Sequence, residues 1–155
     1  MMKKIISIIL VIIWMGIIFC FSNQNADDSS KISDGFITTI INFFVDDDLS
    51  IDEKELLLEK CSFYVRKFAH FTLYFVLGIL VLNLLYQYNL KNKLLIGIVI
   101  CIIYSCSDEF HQLFIPGRSG ELRDVIIDSI GSLSGILFYR FVKKMYSFRK
   151  NQIIK

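Results

Sequence analysis

Four long apolar runs constrain this chain more than any other feature, because each is long enough to cross a bilayer as a helix. They cover about residues 5–21, 68–88, 94–114 and 125–142, and a helix needs about 20 residues to span the hydrocarbon core. Their apolar residues form continuous blocks instead of single stripes, so each helix is apolar on most sides. The runs predict an all-α integral membrane bundle of about four transmembrane helices, with residues 1–155 as a single domain.

Composition supports a lipid environment and excludes several function classes. Hydrophobic residues make up 54% of the chain, and the formal net charge of +2 is too small to indicate nucleic-acid binding. The four cysteines form no C-x-x-C pair, so we interpret them as small buried hydrophobic residues and not as zinc ligands or disulfides. We therefore expect membrane lipids as surroundings, no nucleic-acid partner and no cofactor.

The first apolar run also has the basic start of a signal peptide, at Lys3 and Lys4. However, residues 21–24 (FSNQ) contain no small-residue cleavage site, and the run is longer than a typical signal-peptide core of about 7–15 residues. We expect an uncleaved first transmembrane helix.

The longest loop, residues 22–62, is acidic, with ten Asp or Glu residues against three lysines. Within it, residues 36–45 (FITTIINFFV) are apolar but too short to span a bilayer, so we place them at the membrane surface or against the helical bundle. Ser50 and Glu53 have the spacing of a capping box, which predicts a helix that begins near Ile51 and continues into the second span. The loop is thus expected to contain short helices outside the cytoplasm.

Basic residues predict the orientation in the membrane. Four spans put both termini on one side, and that side holds ten of the 17 basic residues and none of the 15 acids. By the positive-inside rule it is the cytoplasm. We expect a multi-pass protein of the membrane that bounds the cytoplasm, with both termini inside and residues 22–62 and 115–123 outside.

Polar residues then gather at the outer ends of the helices, in stripes with helical spacing. The three stripes consist of Lys67, His70 and Tyr74; of Tyr104, Asp108 and His111; and of Asp124, Asp128, Gly131 and Gly135. Residues three or four apart share a helix face, and a charge that faces lipid is costly, so the stripes are expected to face each other. We predict that His70 faces Asp108 or His111, with Asp124 or Asp128 nearby.

These residues are the candidates for a site, although structural ion pairs explain the spacing about as well. His70 could be a satisfied polar group between helices, and Gly131 and Gly135 are expected to serve packing. As candidates for catalysis we name His70, Asp108, Glu109 and His111, with metal binding left open. As candidates for ligand binding we name Lys67, Tyr74, Gln112, Arg118, Arg123, Asp124 and Asp128.

Four motifs resemble those of VanZ-like membrane proteins. Residues 67–78 (KFAHFTLYFVLG) are similar to the family stretch K-x-x-H-F-x-x-Y-x-x-L-G, and residues 108–118 (DEFHQLFIPGR), 123–131 (RDVIIDSIG) and 21–24 also resemble family motifs. One departure is that the family usually has Asn where this chain has Asp128. The resemblance implies a bacterial membrane protein related to one that lowers susceptibility to the glycopeptide teicoplanin, without implying a reaction.

Three hypotheses of function follow. In the first, a non-enzymatic envelope factor binds or shields an anionic lipid-linked headgroup or glycopeptide target through Lys67, Arg118 and Arg123. In the second, an enzyme acts on a lipid-linked wall precursor through His and carboxylate groups, which also suit zinc or manganese. No H-E-x-x-H motif, nucleophile elbow or phosphate loop supports it. In the third, the chain is a structural bundle or assembly partner.

Overall fold

Four long helices form most of the described structure, a computed structural model that describes residues 1–24, 34–35, 37–39 and 51–153. In chain order the helices are α1 (Met2–Ser22), α2 (Ile51–Leu85), α3 (Lys93–Gln112) and α4 (Leu122–Ile153). Each is long and apolar enough to cross a membrane, and the described residues contain no strand. The predicted all-α bundle of four membrane-spanning helices is confirmed, and the protein is a multi-pass membrane protein.

The second and fourth helices are much longer than a bilayer requires. Helix α2 has 35 residues and α4 has 32, which is on the order of 50 Å each at the α-helical rise. Helix α2 begins at Ile51, as predicted, but Ser50 and most of residues 36–45 lie outside the described residues. Of the segment 36–45, residues 37–39 are described, and they are helical.

Helix α3 ends two residues earlier than the predicted span, at Gln112. Pro116 follows shortly, and a proline disfavours helical geometry in the residue before it. Gly117 then adopts φ 74°, a left-handed conformation that suits glycine. This turn directs the chain back over α3 before α4 begins.

Glycines allow α2 and α4 to pack with their backbones almost in contact. A Cβ atom on Gly135 would lie 1.9 Å from the Phe75 carbonyl oxygen, and one on Gly131 would lie 2.5 Å from the Phe71 carbonyl oxygen. Likewise, a Cβ atom on Gly78 of α2 would lie 2.3 Å from the Ser132 carbonyl oxygen of α4. Close approach through small residues is a common way for helices to associate in lipid, where helices gain little from burying apolar area.

Helix α1 packs against α2 and α3 and is tied to both by side-chain hydrogen bonds. The Trp14 indole donates to the Leu73 carbonyl oxygen at 2.9 Å, and the Tyr104 hydroxyl donates to the Met15 carbonyl oxygen at 2.6 Å. The expectation that the cysteines are buried holds for Cys101 but is wrong for Cys20 and Cys106, which lie on exposed helix surfaces. A small apolar side chain is as acceptable against lipid as in a core, so the sequence does not distinguish the two positions.

The two ends of the bundle differ in chemistry. At one end, which we call the basic end, Lys4 lies over the Tyr88 ring at 4.7 Å, and Lys93 and Lys143 lie over the Tyr86 ring at 5.2 and 3.3 Å. At the other, which we call the polar end, side chains of all four helices interact: Ser22 of α1, Lys67 of α2, Asp108 of α3 and Asp124 of α4. The candidate site residues lie at this polar end.

Candidate functional site

A group of titratable side chains from three helices meets at the polar end. His70 of α2, Asp108 and Glu109 of α3 and Asp128 of α4 each offer one donor atom, and these atoms lie within 4.8 Å of one another. The three carboxyl residues are at most 5% exposed. We call these four residues the acidic–histidine cluster. The structure therefore brings His70 to Asp108 and Asp128, as the stripes on the three helices indicate.

Hydroxyl groups hold one oxygen of each aspartate. Asp108 Oδ2 accepts hydrogen bonds from Ser22 Oγ at 2.8 Å and from the Tyr74 hydroxyl at 3.3 Å. Asp128 Oδ2 accepts one from Ser105 Oγ at 2.9 Å. The two carboxylates are thus oriented by α1, α2 and α3, which leaves the second oxygen of each for another interaction.

The loop between α3 and α4 orients Glu109. Its Oε1 accepts from Gln112 Nε2 at 3.2 Å, and its Oε2 accepts from the backbone N–H of Glu121 at 3.0 Å. Gly120 allows this close return of the chain, because a Cβ there would lie 2.5 Å from the Glu109 carbonyl oxygen. Both oxygens of Glu109 therefore have partners.

Three buried atoms of the cluster have no hydrogen-bond partner among the described residues. They are His70 Nδ1, Asp108 Oδ1 and Asp128 Oδ1. His70 Nδ1 lies 3.4 Å from Asp128 Oδ1, which is within ion-pair distance but does not make a hydrogen bond. Buried polar atoms without partners cost about 1–3 kcal/mol each. The arrangement is chemically suited to hold a proton or a cation.

A network of ion pairs lies beside the cluster. Lys67 is hydrogen-bonded to Asp124 Oδ1, and its Nζ lies 3.7 Å from Glu121 Oε2. Arg123 Nε approaches the same Glu121 oxygen at 3.5 Å. Glu121 was not among the sequence candidates, although its position directly before the predicted fourth span, between two arginines, is the signal that could have identified it. Asp124 and Glu121 therefore offset the positive charge of Lys67 within this network.

Arg118 lies in the loop and is half-buried near the cluster. Its Nη2 donates to the Phe21 carbonyl oxygen at 3.3 Å, which is the one hydrogen bond of its side chain within the described part of the chain. Burial lowers the pKa of the Arg118 guanidinium, and the nearby charges of Asp108 and Glu109 oppose that change. Because an arginine keeps its charge in proteins, Arg118 has several charged N–H donors left for an anion.

His111 lies apart from the acidic–histidine cluster. Its ring stacks on Phe19 at 4.6 Å, and its Nε2 lies 3.3 Å from Asn23 Oδ1. These contacts place it on the face of α3 that meets the end of α1. Of the four catalytic candidates, the structure brings His70, Asp108 and Glu109 together and leaves His111 outside.

The candidate ligand-binding residues divide into two groups. Tyr74, Gln112, Lys67 and Asp124 interact with other residues of the site, and Asp128 belongs to the cluster. Arg118 and Arg123 remain closer to the surface, and the Arg123 side chain is 66% exposed. Sequence reasoning did not select Ser22 or Ser105, although Ser105 precedes Asp108 by one helical turn and shares its face.

Comparison with known proteins identifies the family. The model of the VanZ/LLP1 family matches residues 7–143, which include all four helices in whole or in large part and every residue of the site. No curated protein and no solved structure matches the chain. With the family match covering most of the chain and four helices able to span a membrane, the protein belongs to the VanZ-like family.

Proposed function

We propose that this protein is a factor of the bacterial cell envelope that binds the anionic headgroup of a lipid-linked wall precursor at its polar end. In this proposal the polar end faces away from the cytoplasm, and both termini lie inside. Support for the orientation comes from the basic end, where Lys4, Lys93 and Lys143 meet, because basic residues concentrate on the cytoplasmic side of membrane proteins.

The proposal depends mainly on Arg118, whose guanidinium is partly buried and has donors that are not used within the described part of the chain. Its guanidinium is partly desolvated, keeps its charge and uses one of its donors within the described part of the chain. A phosphate accepts two parallel N–H bonds from such a group, and charge-assisted bonds are roughly twice as strong as neutral ones. Arg118 is therefore well placed to bind a phosphate at the membrane surface.

Arg123 adds a second cation at the same end. Its guanidinium lies 5.9 Å from the centre of the Phe63 ring, and its Nε lies 3.5 Å from Glu121 Oε2. Lys67 lies over the same ring at 5.1 Å, but its side chain is only 18% exposed and is hydrogen-bonded to Asp124, whereas the Arg123 side chain is 66% exposed. Arg118 and Arg123 are thus the two residues that we expect to contact the headgroup.

Shielding of the precursor would lower susceptibility to glycopeptides of the teicoplanin type, which act on wall precursors outside the cell. The support for this part of the proposal is membership in the VanZ-like family. It is tested by the susceptibility of cells that express the protein, compared with cells that express the Arg118→Ala variant at equal abundance.

Binding itself is tested with purified protein in nanodiscs and a polyprenyl pyrophosphate as the probe. Arg118→Ala and Arg123→Ala are each expected to weaken binding by about ten-fold and to change its salt dependence. Arg149→Ala, which removes an arginine from the basic end of α4, is the matched control and should bind like the wild type. Unchanged binding in both Arg118→Ala and Arg123→Ala would contradict the proposal.

The acidic–histidine cluster favours a second candidate, an enzyme that acts on the same headgroup. His70 and Glu109 each offer a donor atom within 4.8 Å of the other, and imidazole and carboxyl groups are common general acids and bases. Release of phosphate or a shortened product from the lipid-linked precursor, lost in His70→Asn and Glu109→Gln, would support this candidate. Binding without product would support the non-enzymatic factor.

A further inference from the structure

We infer that His70, Asp108, Glu109 and Asp128 form a binding site for one divalent transition-metal ion of the zinc or manganese class. The site would tie α2, α3 and α4 together at the polar end. This inference goes beyond headgroup binding and does not depend on it, because it concerns buried residues that make no use of Arg118 or Arg123.

The spacing of the donor atoms suits a single ion. One nitrogen or oxygen from each of the four residues lies within 4.8 Å of the others. Ligands bound at about 2.0–2.2 Å from one ion lie roughly 3–4.4 Å from each other, depending on the geometry. The distances between the four atoms are therefore close to those between the ligands of a single ion. Small side-chain rotations would bring them into that range.

Two carboxylate oxygens without hydrogen-bond partners support the site independently of the spacing. Asp108 is 3% exposed and Asp128 is 0% exposed, yet the Oδ1 atom of each has no hydrogen-bond partner among the residues described. In both residues the other oxygen is held by hydroxyl donors, from Ser22 and Tyr74 or from Ser105. Metal-binding carboxylates commonly show this pattern, in which an outer-shell donor orients the group.

The negative charge of the acidic–histidine cluster also favours a bound cation. In the described part of the chain, the ion pairs of Lys67 and Arg123 go to Asp124 and Glu121, and none goes to Asp108, Glu109 or Asp128 apart from the His70 contact. Arg118 lies near Asp108 and Glu109 but makes no ion pair with them in the described part of the chain. Several buried carboxylates that lack an ion-paired cation are unfavourable inside a membrane bundle. A divalent ion would offset two negative charges at the point where the unpartnered atoms lie.

The donor set indicates which metal class fits. An imidazole nitrogen with carboxylate oxygens suits zinc and manganese, whereas calcium and magnesium favour sites made of oxygen alone. Cys101 is not part of the set, and so the site lacks the thiolate that would favour softer metals.

The experiment measures metal content in the full-length protein. Wild-type protein in detergent is incubated with Zn²⁺ or Mn²⁺, separated from free metal by gel filtration and analysed by mass spectrometry of the elements. We expect close to one ion per chain in the wild type and strong loss in His70→Asn and Asp108→Asn. Ser105→Ala, which removes the donor to Asp128, should weaken affinity by about 10–100-fold.

His111→Asn is the matched control, because it removes the only other histidine, at the same end of the bundle but outside the cluster. It should retain the metal, and so should Arg118→Ala, even if Arg118→Ala loses headgroup binding. Added metal should also raise the unfolding temperature of the wild type and of His111→Asn but not of His70→Asn.

Two results would overturn the inference. One is a metal content near zero in folded wild-type protein with either ion, which is decisive even if a cluster variant fails to fold. The other is equal metal retention in wild type and in His70→Asn and Asp108→Asn proteins that elute as folded monodisperse species.

Discussion

His70 Nδ1 of α2 lies 3.4 Å from Asp128 Oδ1 of α4, about one helical turn from a close backbone contact between the two helices. At that contact, Gly131 allows the α4 backbone to approach the Phe71 carbonyl oxygen of α2, where a Cβ would lie at 2.5 Å. The position of the cluster therefore depends on the glycine contacts. A change that separates the helices should also separate His70 from Asp128.

Methyl groups at the helix contact should destabilise the protein. Gly135→Ala places a Cβ about where the Phe75 carbonyl oxygen already lies, at 1.9 Å, and backbone atoms cannot rotate away. Overpacking of this kind costs about 1–3 kcal/mol or more, so we expect a lower unfolding temperature in detergent. Gly16→Ala is the control, since nothing lies within 4 Å of its added Cβ. Equal unfolding temperatures of the two variants would argue against the close α2–α4 packing.

The Lys67–Asp124 pair should show strong coupling. The two side chains are only 18% and 10% exposed, so removal of either partner leaves a poorly hydrated charge, which costs about 3–5 kcal/mol. We expect Lys67→Met and Asp124→Asn each to lower the unfolding temperature, and the double variant to lose less than the sum. Arg123→Gln should have little effect, because its pair with Glu121 is exposed. Additive losses in the double variant would show that the pair is not coupled.

Isosteric changes separate a chemical role of the cluster from a structural one. His70→Asn and Glu109→Gln keep similar size and hydrogen bonding but remove the titrating group. We expect at least one of them to abolish the proposed protection of cells against teicoplanin while the protein remains at normal abundance. His111→Asn, outside the cluster, should keep that protection. Full protection with both cluster variants and with Arg118→Ala would leave the polar end without a functional role.

The proposed orientation can be tested by cysteine labelling on intact cells. The four native cysteines are first replaced, because Cys20 and Cys106 are exposed on the helices. A membrane-impermeant maleimide should then label Ser119→Cys, in the loop of the polar end, and should label Asn151→Cys only after the cells are opened. Labelling of Asn151→Cys in intact cells would reverse the topology and place the polar end in the cytoplasm.

The sequence by itself determined the four helices and the depth at which their polar residues lie. Uninterrupted apolar runs force the backbone to satisfy its hydrogen bonds within each helix, so the spans follow from local composition. The spacing of Lys67, His70 and Tyr74, and of Asp124 and Asp128, places each set on one helix face. For this reason helical spacing and the cost of charge in lipid were enough to predict that His70 faces Asp108 or His111 of α3, with Asp124 or Asp128 of α4 nearby.

Only the tertiary structure decided which of these residues share the cluster. His111 has the helical spacing of Asp108, but the rotation of α3 against α1 places its ring on Phe19. Glu121 joins the site because the turn at Gly117 and the close approach at Gly120 bring the loop back to Glu109. Rotations of packed helices and loop paths depend on contacts between residues far apart in sequence, and no local pattern of spacing contains them.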